Sequence, residues 1–233
     1  MLESGPLSDP AFPAFAAKVV PYLHIATRIE GHPYDNLYRE MGVRGFPTLR
    51  FLDAEGNTIT EQGDRSVEAF EATLVPVLEL QSLSARVEAG EKGLEADLFL
   101  AELALGKIGF EEAREKAKGF TKLTGEQKKR LGQLMLDAEI GHLIAGVGRD
   151  NEAVLAAGKR IEELLATGKR PSPAVESQLW SFLLRYADQK EDAALYGKAV
   201  DFMKKRYGDE PRAKAYLERL ETRLKELQAG PDA

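Results

Sequence analysis

From Ser84 to Leu227, apolar residues recur at helical spacing in one segment after another, which leaves room for little except packed helices. Leu94, Leu98, Ala101 and Leu105 form one stripe, and Leu131, Leu134 and Ala138 a second. Val154, Ala157, Ile161 and Leu165 follow, then Trp180, Leu183, Leu184 and Ala187. Tyr196, Val200, Met203 and Tyr207 make the next, and Tyr216, Leu220, Leu224 and Leu227 the last. Breaks near Ile108-Gly109, Leu123 to Gly125, Gly148 to Asp150, Gly168 to Pro173, Asp188 and Gly208 to Pro211 separate them. Connections this short favour antiparallel neighbours, so residues 84–230 are expected to form an all-α domain of helical hairpins.

Residues 1–80 follow a different pattern, and the change falls at Gln81-Ser82-Leu83-Ser84. Asp9 to Lys18 reads as a helix with Ser8 or Asp9 as N-cap, Pro10 in the first turn, and Phe12, Phe15 and Val19 on one face. Pro21 ends it. Tyr22 to Ile29 has the β-branched content of a strand, broken by Gly31-His32-Pro33. Tyr34 to Met41 is a short helix stopping at Gly42. Thr48 to Leu52 is a second strand, Asp53 to Asn57 a turn, and Thr58-Ile59-Thr60 the antiparallel return. Ser66 caps an amphipathic helix with Phe70, Leu74 and Leu78 on its stripe.

Leu37 through Ile59 (Leu-Tyr-Arg-Glu-Met-Gly-Val-Arg-Gly-Phe-Pro-Thr-Leu-Arg-Phe-Leu-Asp-Ala-Glu-Gly-Asn-Thr-Ile) closely resembles the second half of a thioredoxin domain. The matching positions are Gly42, Val43, Phe46, Pro47 and Thr48, and the resemblance implies a cis peptide at Phe46–Pro47. It also implies that the loop Gly45, Phe46, Pro47 presents backbone groups to an extended bound peptide, a form of strand addition. That loop is the candidate peptide-binding site, set against the plainer reading of a loop that only shapes the fold. The fold class expected is therefore an α/β or α+β partial thioredoxin-like domain over residues 1–80, followed by the all-α domain.

The match is incomplete. A full domain of this family has a first strand, a helix and a central strand ahead of a Cys-x-x-Cys motif, and the helix at Asp9–Lys18 resembles the later part of the helix after that motif. The central strand would lie between Tyr22–Ile29 and Thr48–Leu52, and its loss leaves backbone groups of both unpaired. Three arrangements answer this: a fragment whose true start lies upstream of Met1, direct pairing of the two strands in a reduced sheet, or a homodimer through the exposed strand edges.

In the helical part, Ala101 to Ala113 resembles the inter-helix turn of tetratricopeptide repeats, and Ala187 to Ala199 with Pro211 is a looser echo. No strict 34-residue period accompanies them, and a plain helical bundle reads the same stripes.

Charge and composition narrow the function. The net charge of −6 resides wholly in residues 1–80, where six Lys/Arg face twelve Asp/Glu. The basic triplets Lys128–Arg130 and Lys204–Arg206 sit in helices with acids nearby and read as solvated faces, so nucleic acid is not an expected partner. No run approaches the roughly 18 apolar residues of a membrane span. Met1 to Pro6 lacks a basic region followed by an apolar core, so a cytoplasmic location is the default expectation, with an exported parent protein left open.

His24, His32 and His142 have no partner at metal-ligand spacing. Glu111-Glu112 and Glu162-Glu163 are adjacent on helices and do not face each other. Gly141 to Gly148 has no P-loop lysine after it, and Trp180 reads as core. No metal, cofactor or catalytic residue is assigned.

The chain contains no cysteine, which removes disulfides, thiolate nucleophiles, iron–sulfur clusters and cysteine-based zinc sites together. The leading expectation is a non-catalytic thioredoxin-like module with a helical scaffold that binds a protein or peptide. The alternative is the remainder of a thiol-disulfide oxidoreductase whose Cys-x-x-Cys segment lies upstream of Met1. A glutathione-transferase-like enzyme, loosely suggested by Asp64-Arg65-Ser66, is weaker because the strand carrying its catalytic residue is missing. Disulfide exchange needs an attacking thiolate, so these 233 residues should reduce insulin no faster than a dithiothreitol blank; any excess in precipitation rate would contradict this.

Overall fold

The computed structural model describes residues 5–25 and 36–230. The chain divides into two compact units, Met1–Ile108 and Gly109–Ala233. Among the described residues it is mostly helical, with one small antiparallel sheet of two strands.

The first unit opens with a 3₁₀ turn, Pro6–Ser8, and a short helix α1, Phe12–Ala16. The Asp9 carboxylate accepts from the Ala11 N–H at 2.8 Å, but the N-cap position is Ala11, without a side-chain cap, rather than Ser8 or Asp9, and regular helix covers only part of residues 9–18. Of the strand expected over Tyr22–Ile29, only the portion to Ile25 lies within the described residues, and that portion is not in a strand. β-propensity needs a hydrogen-bonded neighbour to become a strand, and no described strand lies beside it. Direct pairing with the next strand is therefore not what Tyr22–Ile25 does. Gly31, His32, Pro33 and Tyr34 lie outside the described residues. The next helix is α2, Leu37–Glu40, shorter than the expected Tyr34–Met41 because it starts after Asn36, and the chain leaves it through Gly42 with φ of 64°, where a side chain would be strained.

Strands β1, Leu49–Leu52, and β2, Thr58–Gln62, form the expected hairpin. Its turn is set by Asp53, whose carboxylate accepts from the N–H groups of Asn57 at 2.7 Å and Glu55 at 3.1 Å. Leu49 stands opposite Gln62, Arg50 opposite Glu61 and Phe51 opposite Thr60, with an irregularity between Phe51 and Leu52.

Helix α3, Val67–Glu88, begins at Ser66, whose Oγ accepts from the Ala69 N–H at 3.2 Å. Its buried stripe is Val67, Phe70, Leu74, Val77, Leu80 and Leu83. Leu78, expected on that stripe, is 51% exposed. Eight residues beyond Phe70 places Leu78 about 80° around the helix, whereas Val77 lies within about 20°. The stripe does not stop at Gln81–Ser84, and α3 runs unbroken through the stretch where the sequence suggested a boundary. The units part at Ile108 instead. The reason is burial: Leu80 and Leu83 share a core with Ile59, Leu94, Ala101 and Leu105, the last three from α4 (Glu95–Ala104) and its two ends. Leu94, Leu98, Ala101 and Leu105 thus form the stripe read from the sequence.

The second unit consists of α5, Phe110–Ala117, α6, Gly125–Gly146, α7, Asn151–Ala166, α8, Pro173–Gln189, α9, Ala193–Tyr207, a 3₁₀ turn Pro211–Ala213, and α10, Lys214–Ala229. Sequential neighbours from α5 to α10 pack on one another, as short connections require. Helix α8 is buried on two sides. Leu179, Phe182, Leu183 and Tyr186 join Ile140, Val154 and Ile161 in one core, while Leu184 and Ala187 join Tyr196, Val200 and Met203 in another. Two stripes are corrected. In α6 the buried positions are Leu136 and Ile140, with Leu131, Leu134 and Ala138 only half-buried. In α10 Leu217, not the exposed Tyr216, leads Leu220, Leu224 and Leu227 onto the core. Each helix carries apolar residues at two angular positions, and the neighbouring helices select which is covered. No helix among the described residues is long and apolar enough to cross a membrane.

Gly158 of α7 lets α8 approach: a Cβ there would lie 2.1 Å from Cδ2 of Tyr186. Glycine to alanine in an open helix stabilises by about 1 kcal/mol, but this overpacking should reverse the sign. Gly158→Ala is expected to lower unfolding stability by about 1–3 kcal/mol in urea melts. A stabilised variant would show that the ring does not sit over Gly158.

Candidate functional site

The candidate loop joins α2 to β1 and is tied down at both ends. The Thr48 hydroxyl donates to the Gly45 carbonyl at 2.7 Å, and an Arg65 guanidinium N–H donates to the Pro47 carbonyl at 3.4 Å. The Phe46–Pro47 peptide is cis, as the resemblance implied. These bonds hold the backbone while the Phe46 side chain stays 67% exposed. Its ring meets Tyr38 edge-on with centroids 5.9 Å apart, and the Arg39 guanidinium lies 5.4 Å from the centre of the Tyr38 ring.

Beside the loop is a depression of about 470 Å³ lined by Gly42, Arg44, Gly45, Thr48, Arg50 and Glu61. Arg50 forms its floor. Its guanidinium donates to the Met41 carbonyl and, through Nε, to Glu61 at 3.0 Å. Arg50 and Glu61 face each other because they are partners in the β1–β2 register. Leu49 and Phe51, pointing the other way along β1, pack on Phe15, Val67, Phe70 and Leu74. The sheet therefore has one polar face over the depression and one apolar face toward α1 and α3.

Strand β2 occupies one edge of β1, and among the described residues no strand occupies the other. Exposed apolar side chains are concentrated in this unit. Val20 is 94% and Leu23 70% exposed, with Tyr22 and Ile25 also largely in solvent. His24 lies between them, its Nε2 buried without a hydrogen-bond partner.

Other sequence candidates are absorbed by local structure. Asp64 accepts from the Ser66 N–H at 2.9 Å and Ser66 caps α3, so both serve the start of that helix. Glu111 pairs with Arg114 and Glu112 with Lys116, each along its own side of α5. Glu162 accepts from the Tyr186 hydroxyl at 2.6 Å and pairs with Lys190, whereas Glu163 turns to Arg160. Burial, and then the Glu162 carboxylate, push the Tyr186 phenol above its usual range. His142 packs on Phe110, and Trp180 stacks on Phe202. Among the described residues no group of three or more His, Asp or Glu side chains is placed to hold a metal.

Gly45, Phe46 and Pro47 thus sit together at the entry to β1. The sequence reading missed Tyr38, Arg44, Arg50, Glu61 and Arg65, which surround them. Opposite charges flanking a short turn were a usable signal for Arg50 and Glu61. Nothing local pointed to Tyr38 or Arg65, which reach the loop only through the fold. The loop thus brings together a strand edge that no described strand occupies, an aromatic pair and guanidinium donors. Comparison with models of protein families, with curated proteins and with solved structures gives no match.

The hairpin that positions β1 has a pH limit. The Asn57 side-chain amide, then its backbone N–H, hold Asp53 below the ordinary carboxylate value. A depressed folded pKa contributes stability above the unfolded value of about 3.9, and the contribution is lost as pH falls through the folded value. Asp53→Ala should melt below wild type at neutral pH and converge with it in acid. Parallel melting curves at all pH values would refute this role.

Proposed function

We propose that the chain is a non-catalytic protein-binding molecule whose first unit takes up an extended segment of a partner along the open edge of β1, beside the Gly45, Phe46, Pro47 loop. The observation that carries this is the β1 edge that no strand occupies among the described residues, next to an exposed aromatic ring and a half-buried apolar layer. Isolated two-stranded hairpins are marginal in water, and a third strand would satisfy the outward backbone groups of β1. The order α1, α2, loop, hairpin, α3 supports a thioredoxin-like origin for this unit. The fully buried Ala187 and Ala199 at the α8–α9 hairpin support a tetratricopeptide-like scaffold in the second.

The same open edge favours a second reading: a longer polypeptide that fills it with its own strand and carries a Cys-x-x-Cys ahead of these residues would be a thiol-disulfide oxidoreductase. The two readings separate on chemistry, because only the second predicts insulin reduction by the extended polypeptide.

Selection of displayed eight-residue random peptides on the full chain is the direct test of binding. Bound peptides should slow hydrogen exchange at the β1 amides that face away from β2. Phe46→Ala should weaken binding about tenfold, in line with loss of an aromatic anchor, with the helical circular dichroism unchanged. Binders that leave β1 exchanging at its free rate, or no enrichment at all, would dismiss the proposal.

A further inference from the structure

The polar face of the sheet carries information about the bound segment's chemistry. Arg50 is already engaged by Glu61 and the Met41 carbonyl. Arg44 lines the same depression, is exposed, and has no carboxylate partner among the described residues. Of the six cations in residues 1–80, four (Arg39, Arg44, Arg50 and Arg65) fall between positions 39 and 65. Arg39 and Arg65 are anchored beside the loop, on the Tyr38 ring and the Pro47 carbonyl. The same stretch holds five carboxylates, of which Asp53, Glu61 and Asp64 are engaged by the hairpin turn, by Arg50 and by the start of α3, so Arg44 is the guanidinium at the depression left exposed to a bound segment.

We infer that the segment docking on β1 alternates apolar and acidic residues, and that one of its carboxylates is bound by Arg44 over this depression. The inference rests on the strand-addition reading above. A third strand would lie about 4.8 Å from β1, within reach of a side chain as long as arginine. Its side chains would alternate between faces, as those of β1 do. One set meets the layer of Leu49, Phe51 and Phe15, which favours apolar groups. The other set meets Arg44 and the rim of the depression, which favours carboxylates through charge-assisted, bidentate hydrogen bonds.

The test uses the full chain and three fluorescein-labelled eight-residue peptides alternating leucine with glutamate, glutamine or lysine, titrated by anisotropy at low salt. The glutamate peptide should bind at least tenfold more tightly than the glutamine peptide, and the lysine peptide most weakly. Arg44→Gln should bring the glutamate and glutamine peptides within about twofold of each other. Arg44→Lys should retain part of the preference. Equal binding of glutamate and glutamine peptides by wild type would overturn the inference and leave strand addition standing. No binding of any peptide would overturn both. Tighter binding of a single-stranded oligonucleotide of the same charge than of the glutamate peptide would overturn the assignment to a polypeptide.

Discussion

The first unit depends on a single buried stripe, that of α3. Its N-terminal half supplies Val67, Phe70 and Leu74, against which Phe15 of α1 and the inner face of β1 pack. Its C-terminal half supplies Val77, Leu80 and Leu83, which join Ile59 of β2 to Leu94, Ala101 and Leu105. A hairpin with few residues per strand cannot hold its register alone. It is held here because Leu49, Phe51 and Ile59 all end on the same helix. The gain is large enough that α3 continues through Pro76, which removes one helical hydrogen bond and costs about 3 kcal/mol in a helix interior. The exposed Ala72, whose carbonyl loses its donor, leaves that group open to water.

This support is one-sided, and the one-sidedness defines the site. The helical layer covers one face of the sheet and β2 covers one edge of β1. Among the described residues, what is left is the opposite edge, the arginine-bearing face and the loop holding Phe46 in solvent. Side chains of Thr48 and Arg65 fix that loop's carbonyls. The second unit is built on a different principle, with α8 enclosed by two cores and Gly158 allowing Tyr186 to seat against α7.

Local rules read from the sequence worked where the deciding contacts are close in the chain. The Asp53–Asn57 turn, the Ser66 cap, the left-handed Gly42 and the placement of Gly45, Phe46 and Pro47 before β1 each involve residues a few positions apart. Rules that assumed a partner did worse. Tyr22–Ile25 has strand composition but no neighbour to pair with, and Leu78 missed the buried stripe by a fraction of a helical turn. Arg65 reaches the Pro47 carbonyl across 18 positions, a contact no spacing rule indicates.

The sequence by itself determined the helical character of the chain beyond Ser84, the hairpin between Leu49 and Gln62, and the lack of any thiol in these residues, because periodicity, turn residues and the lack of cysteine are properties of the residues themselves. Only the tertiary structure decided where the units part, which face of α6 and α10 is covered, and which side chains frame the loop before β1. Those outcomes depend on burial against distant segments, and burial is settled by what packs opposite rather than by what lies next in the chain.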